Sequence, residues 1–266
     1  MHTLTDDHKR SWNKIPELTL LFWIMKITAT TLGETGGDLL AQTLQVGYAV
    51  STLIFFGFFL IMLFCQLSVR KYIPPIYWAV IVATSTAGTT MSDYMDRTLG
   101  LGYAVGSMIL VSILIIILVI WRVTEGNLSV TNINSRRGEL FYWTAILFSN
   151  TLGTALGDFL ADDSGLGFGG SALLITAVLA LVVLAYYFTK ISRVVLFWIA
   201  FVLTRPFGAT FGDLLTKPED HGGLAYGTKG SSAILFGLLV ILVIYEYVKL
   251  KRHRPTEDKV SSSALL

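Results

Sequence analysis

The chain has 266 residues, of which 53% are hydrophobic and only 14% are charged, and its formal net charge is +2. Soluble domains carry about 25% charged residues, so this composition excludes an ordinary soluble domain, and the small net charge gives no indication of nucleic-acid binding. The charges gather between apolar runs of roughly 18–22 residues, each long enough to cross about 30 Å of hydrocarbon. We therefore predict an all-α polytopic membrane protein.

Eight transmembrane helices are predicted in chain order. A single membrane domain (18–250) would lie between an N-terminal tail (1–17) and a C-terminal tail (251–266). Of the 20 Lys and Arg residues, 15 lie in these tails and in the loops after the second, fourth and sixth helices, and three lie in the other loops. Positive charge favours the cytoplasmic side, so both termini are predicted to be cytoplasmic. The predicted spans are about 18–37, 46–68, 76–93, 101–121, 140–159, 168–188, 194–214 and 230–249.

Four internal repeats, at about 18–70, 73–123, 138–190 and 193–250, divide this domain into pairs of helices. Each repeat has a Trp 15 positions before an Asp, and a Gly five positions before the same Asp. An aromatic residue follows the Asp after 10 positions in the first three repeats and after 13 in the fourth. The aligned segments are WIMKITATTLGETGGD, WAVIVATSTAGTTMSD, WTAILFSNTLGTALGD and WIAFVLTRPFGATFGD.

These residues resemble a family of bacterial membrane proteins built from four tandem two-helix "repeats of unknown function", each with a characteristic Trp. The resemblance covers about residues 18–250. It implies a multi-pass protein of the bacterial cytoplasmic (inner) membrane, and it supplies no activity or substrate.

Repeats that each cross the membrane twice have the same orientation, so they are parallel repeats, and a pseudo-fourfold ring is the simplest closed arrangement. The first helix of each repeat is rich in Gly, Thr and Ser, whereas the second is almost wholly apolar. We therefore expect the odd-numbered helices to form an inner ring and the even-numbered helices to face lipid. The four repeat Trp residues are interpreted as anchors at the membrane interface.

Two faces of the odd helices are distinguished at 100° per residue. Small residues four apart, such as Gly33 and Gly37, indicate close helix packing. The other face carries carboxylates and hydroxyls, which suit hard cations or a proton relay. Such residues inside a membrane mark a function or form hydrogen bonds between neighbouring repeats. The candidate binding residues on this face are Asp38, Asp93, Asp158, Asp213, Glu34, Thr86, Thr89, Thr151 and Thr154.

Two basic residues, Lys26 and Arg205, lie within predicted spans and complete the candidate site. Arg205 precedes Pro206 and is interpreted either as an ion pair with Glu34 or as a contact to an anionic substrate. Lys26 is either a second site residue or a side chain that reaches towards the cytoplasmic surface.

The sequence favours a small secondary transporter of a cation (Mg²⁺, Mn²⁺, Ca²⁺, Na⁺ or a proton) or of a small ionic solute. The alternative is a membrane scaffold or stress-related integral membrane protein whose polar residues only join helices. No motif of a hydrolase or nucleotide-binding enzyme is present, so we expect neither enzyme activity nor a cofactor. The lipid bilayer is the expected partner; the identity of any metal and the oligomeric state are left open.

Overall fold

A computed structural model describes residues 14–130, 133 and 135–263, with side chains up to residue 252. Within this part of the chain there are eight long α-helices and no strands. The helices are α1 (Leu20–Asp38), α2 (Tyr48–Ser68), α3 (Pro74–Asp93), α4 (Tyr103–Glu125), α5 (Arg136–Asp158), α6 (Gly167–Phe188), α7 (Arg193–Thr216) and α8 (Thr228–Ser263). Five of them, α2, α4, α6, α7 and α8, are long and apolar enough to cross a membrane.

Local sequence explains where several of these helices begin and end. Two Pro residues open α3, where the missing N–H groups need no partner. Ser135 caps α5 by accepting a hydrogen bond of 2.8 Å from Gly138 N. Helices α1, α3 and α5 each continue into one wide helical turn after the repeat Asp, at Leu39–Thr43, Tyr94–Thr98 and Phe159–Asp163. The fourth repeat has the short turn Glu219–His221 instead, which accounts for its longer spacing between the Asp and the aromatic residue.

The four odd-numbered helices form a closed ring at the centre of the molecule. Helix α1 packs against α3 and α7, and α5 packs against the same two helices, so α1 and α5 are diagonal partners. The predicted inner position of the odd helices is therefore confirmed. Helices α1, α3 and α5 are not among the candidate spans, since they carry many polar residues. Most of these polar side chains are buried inside the ring.

Each even-numbered helix packs on the odd helix of the next repeat rather than on its own. Helix α2 lies against α3, α4 against α5, and α6 against α7. Helix α8, the last in the chain, packs against α1, the first. This offset closes the outer layer in the same cyclic order as the ring, and it leaves the apolar surfaces of the even helices exposed, as expected for contact with lipid.

Glycines set the close approach of neighbouring ring helices. A Cβ added at Gly88 of α3 would lie 2.9 Å from the Thr151 nitrogen of α5, and one at Gly212 of α7 would lie 3.0 Å from Glu34 Cβ of α1. The first distance is shorter than real Cβ contacts, and the second would require the Glu34 side chain to shift. The predicted packing role of the small-residue face is thus confirmed.

The interpretation of the repeat Trp residues as interface anchors is wrong for three of the four. Trp78, Trp143 and Trp198 are at most 6% exposed and belong to the core at the end of the ring where the odd helices begin. Trp78 donates a hydrogen bond of 2.9 Å to Glu246 of α8, and Trp198 donates one of 3.1 Å to the Leu128 carbonyl. These side chains point between helices, so packing determines their position.

Candidate functional site

Equivalent buried positions of the four repeats can be grouped into layers along the ring. Counting back from the repeat Asp in steps of four residues selects one position in each successive turn of each odd helix. All of the positions selected in this way are buried. The layers are Asp38, Asp93, Asp158 and Asp213; Glu34, Thr89, Thr154 and Ala209; Thr30, Ser85, Asn150 and Arg205; Lys26, Ile81, Ile146 and Phe201; and Phe22, Tyr77, Tyr142 and Phe197.

Arg205 lies at the centre of the ring and connects all four of its helices. The side chain is fully buried and donates hydrogen bonds to Glu34 Oε2 of α1 (3.0 Å) and to Thr154 Oγ1 of α5 (2.7 Å). It also donates to Thr89 Oγ1 of α3 and, at 3.2 Å, to the Thr30 carbonyl of α1. The predicted ion pair between Arg205 and Glu34 is therefore present. Helix α7 continues through Pro206 without a break. Arg205 therefore extends from a continuous helix.

Two of the four Asp side chains meet at the contact between α1 and α7, where Lys217 joins them. Its Nζ lies 2.6 Å from Asp38 Oδ2 and 3.3 Å from Asp213 Oδ1. We name these three residues the seam cluster. Burial opposes the charge on Lys217, but the carboxylates of Asp213 and Asp38 outweigh burial and raise its pKa above the usual range. Lys217 therefore pairs with the two Asp side chains through its ammonium group.

The other two Asp side chains meet between α3 and α5, where Arg97 joins them. Its Nε lies 3.1 Å from Asp93 Oδ1, and one terminal nitrogen lies 3.2 Å from Asp158 Oδ2. We name these three residues the opposite cluster. The acidic layer thus separates into two clusters, each with two carboxylates around one cation.

Sequence reasoning assigned Arg97 and Lys217 to loops and missed their contacts with the acidic layer. The signal was present, because each lies four residues after a repeat Asp and such pairs are neighbours on a helix surface. The same position holds Gln42 in the first repeat and Asp162 in the third. A cation in every second repeat is what produces two clusters instead of four separate pairs.

Together with Glu34 of α1, the two Asp of the seam cluster form a group of three carboxylates that can be tested as a cation site. Glu34, Asp38 and Asp213 each place a carboxylate oxygen within 4.8 Å of the other two. All three side chains are buried. Oxygen ligands in this arrangement suit a hard cation, and Lys217 already supplies one positive charge at this position.

An open cavity of about 470 Å³ reaches the seam cluster from the end of the ring that carries the acidic layer. Asp38 and Lys217 line it, and no residue of the opposite cluster does. Solutes that enter this cavity therefore reach the seam cluster. The other lining residues are Gln42, Thr43, Thr216, Pro218, Tyr226, Gly227, Thr228, Lys229 and Gly230.

The remaining candidates from the sequence lie outside these contacts. Lys26 is fully buried one layer beyond Arg205, with its Nζ 3.5 Å from Asn150 Oδ1 and 4.2 Å from the centre of the Phe201 ring. The hydroxyls of Thr86 and Thr151 donate to carbonyls of their own helices. The structure therefore brings together Glu34, Thr89, Thr154 and Arg205 and the four Asp, and it leaves Lys26, Thr86 and Thr151 apart.

Comparison with known families identifies the four repeats. A family model described as Repeat of Unknown Function (DUF347) matches residues 21–72, 76–127, 141–192 and 196–251. These segments coincide with the four helix pairs, and together they cover most of the chain. No curated protein and no solved structure matches it.

Proposed function

Because the chain belongs to the family of the Repeat of Unknown Function (DUF347), whose description names no activity, we propose a function from the geometry of the ring: a small secondary transporter of a cation. In this proposal all eight helices span the bacterial inner membrane and both termini are cytoplasmic. The cavity at the seam cluster then opens on the extracytoplasmic side, and the Trp-rich core closes the cytoplasmic side.

The observation that carries the proposal is that a cavity reaches buried carboxylates inside the ring. Asp38 lines the cavity, and the oxygens of Glu34 and Asp213 lie close behind it. A buried carboxylate inside a membrane is costly unless it is paired or has a function. The seam cluster is the place where a cation from outside can replace the pairing that Lys217 provides.

The donor set behind the cavity favours a cation over an anion. Glu34, Asp38 and Asp213 each place a carboxylate oxygen within 4.8 Å of the other two, and carboxylate oxygens are ligands for hard cations. Two Lys residues, Lys217 and Lys229, line the cavity, and Lys217 is already paired with Asp38 and Asp213. As the cation binds Asp38 and Asp213, the Lys217 ammonium moves towards the cavity that it already lines.

A scaffold is the second candidate, and the Arg205 network supports it. One guanidinium that joins four helices by hydrogen bonds can act purely as a structural link. On this alternative the seam cluster and the opposite cluster are equivalent, and neither exchanges its partner with solvent.

Elemental analysis of cells that express matched double variants separates the two candidates. The test variant is Asp38→Asn/Asp213→Asn, and the control is Asp93→Asn/Asp158→Asn, with equal amounts of protein in the membrane and a panel of added Mg²⁺, Mn²⁺, Ca²⁺ and Na⁺ salts. We expect the wild type and the control variant to change the cell content of one metal at least threefold, and the test variant to abolish that change.

Two results would contradict the transporter. If neither the wild type nor any variant changes the cell content of any metal, the proposal that the protein transports these metals is wrong. If both double variants abolish the change equally, the seam cluster has no special role. The control is informative because Arg97 is 32% exposed and remains solvated after both of its carboxylates are neutralised.

A further inference from the structure

At the other end of the ring, residues 14–19 form a segment that we name the strap. It precedes α1, and its first three residues, Lys14, Ile15 and Pro16, are buried. Ile15 is part of the main hydrophobic core. The strap is therefore packed against the bundle, although it has no helical structure.

A buried ion pair holds the strap to a distant helix. Lys14 Nζ lies 2.7 Å from Glu139 Oε2 of α5, and both side chains are less than 10% exposed. The same ammonium lies 3.5 Å from the carbonyls of Gln66 and Leu67 at the end of α2. Removing one partner of a buried pair leaves an uncompensated charge, so this contact determines whether the strap stays in place.

The strap joins two helices that are not neighbours in the ring. Helix α1 packs against α3 and α7, and Glu139 belongs to the diagonal helix α5. Six extended residues reach about 20 Å, which exceeds the diagonal of about 11–14 Å expected when neighbouring helix axes are 8–10 Å apart. The strap can therefore hold the ends of α1, α2 and α5 together.

A small cavity beneath the strap contains polar atoms without protein partners. Lys14, Ile15, Gln66, Glu139 and Trp143 are among the residues that line it. Within the described part of the chain, Gln66 Oε1, Glu139 Oε1 and Trp143 Nε1 have no hydrogen-bond partner, and all three residues are buried. Because unpaired polar atoms favour hydration, solvent would enter this cavity readily if the strap moved away.

We propose that the strap locks the end of the bundle opposite the acidic layer, and that release of Lys14 from Glu139 opens the cavity beneath it. The proposal that the strap acts as a lock is based only on the contacts of Lys14 with Glu139, Gln66 and Leu67. Its role as the cytoplasmic gate of a transporter rests on the proposed function. Under that function, α1 and α5 must separate at this end for a cation to leave the ring.

Thiol accessibility in the purified full-length protein tests the lock without any need for transport. The reporter is Gln66→Cys in a Cys65→Ala background, which keeps the carbonyl that Lys14 contacts. Alkylation with N-ethylmaleimide is compared with and without Glu139→Gln. We expect Glu139→Gln to increase the alkylation rate at position 66 at least tenfold, and Lys14→Arg, which keeps the charge, to leave it within twofold.

Two controls distinguish release of the strap from general loosening. Glu17→Gln changes an exposed carboxylate on the same segment and should leave the rate at position 66 unchanged. A second reporter, Ser149→Cys in the same background, lies at a fully buried position within α5 and should stay unreactive. An unchanged rate at position 66 in Glu139→Gln, or a parallel rise at position 149, would overturn the lock. Absence of cation flux in every variant would refute the proposed transporter, while the alkylation rates would still decide the lock.

Discussion

The seam cluster and the opposite cluster have the same composition, two Asp and one cation, and differ in their surroundings. In the seam cluster, Asp38 and Lys217 line an open cavity, and the two Asp carboxylates lie next to a third carboxylate, Glu34. On helices α3 and α5, which carry the opposite cluster, the positions equivalent to Glu34 are Thr89 and Thr154. Both hydroxyls donate hydrogen bonds to the Glu34 carboxylate. The comparison shows that the same motif of two Asp and one cation can lie beside an open cavity and a third carboxylate in one place, and beside hydroxyl groups in another.

The largest effect is expected at the Arg205–Glu34 pair beside the seam cluster. Arg205→Met leaves the Glu34 carboxylate buried without a cation, which costs about 3–5 kcal/mol. We expect a fall of about 10 °C in the thermal midpoint in detergent, at roughly 2–4 °C per kcal/mol. The matched change Asn150→Leu, at the equivalent position of α5, should cost about 2 kcal/mol, the value of the two hydrogen bonds with Lys26 and Thr84. The double variant Arg205→Met/Glu34→Gln should recover at least half of the loss, and equal losses in the two single variants would contradict the difference between the two sides.

The second prediction compares the two cations of the acidic layer. Lys217→Met leaves Asp38 and Asp213 facing the cavity with Glu34 nearby, so a divalent cation can take the vacated position. At 100 times its dissociation constant, such a cation would stabilise the fold by about 2.7 kcal/mol. We expect added Mg²⁺ or Mn²⁺ to raise the thermal midpoint of Lys217→Met by about 5–10 °C. Arg97→Met should show a change of about 2 °C or less, and equal responses would mean that the cavity does not distinguish the clusters.

The smallest effect concerns Asp96, which follows Asp93 in the opposite cluster. Burial raises its pKa to about 6, and the hydrogen bond donated by Ser92 and the positive charge of Arg97 only limit this rise. Because the folded-state pKa lies above the usual value near 3.9, protonated Asp96 stabilises the fold at low pH, and that contribution is lost as the pH rises through about 6. We expect the wild type to be more stable at pH 5 than at pH 7.5 by about 1 kcal/mol relative to Asp96→Asn, measured by thermal denaturation at both values. A pH response that is the same in both proteins would show that Asp96 does not titrate in this range.

Sequence reasoning predicted the features that depend on the properties of single residues. The apolar even helices, the polar odd helices and the glycine face follow from hydropathy and side-chain size, and the structure has them in the expected places. The Arg205–Glu34 pair was one of the two interpretations of Arg205, the other being a contact to an anionic substrate, and the structure has the pair. Whether these residues bind a cation stays a prediction.

Contacts between distant parts of the chain could not be predicted in the same way. Lys14 and Glu139 are 125 residues apart, and no periodicity connects them. The Trp residues were misplaced because a Trp at a membrane interface and a Trp packed between helices give the same sequence signal. The two clusters of the acidic layer depend on which repeats are neighbours in the ring, which the sequence of one repeat does not show.

The cyclic offset of the outer helices means that no repeat has to be the first. Since α8 closes on α1 as α2 closes on α3, four separate copies of a single two-helix unit could assemble into the same ring as a homotetramer. The four units of such a tetramer would be identical, so every charged residue would occur four times around the axis. Joining the units in one polypeptide allows the repeats to differ, so Glu34, Arg205, Lys217 and Arg97 each belong to one repeat only, and an open cavity lies beside the contact of α1 with α7.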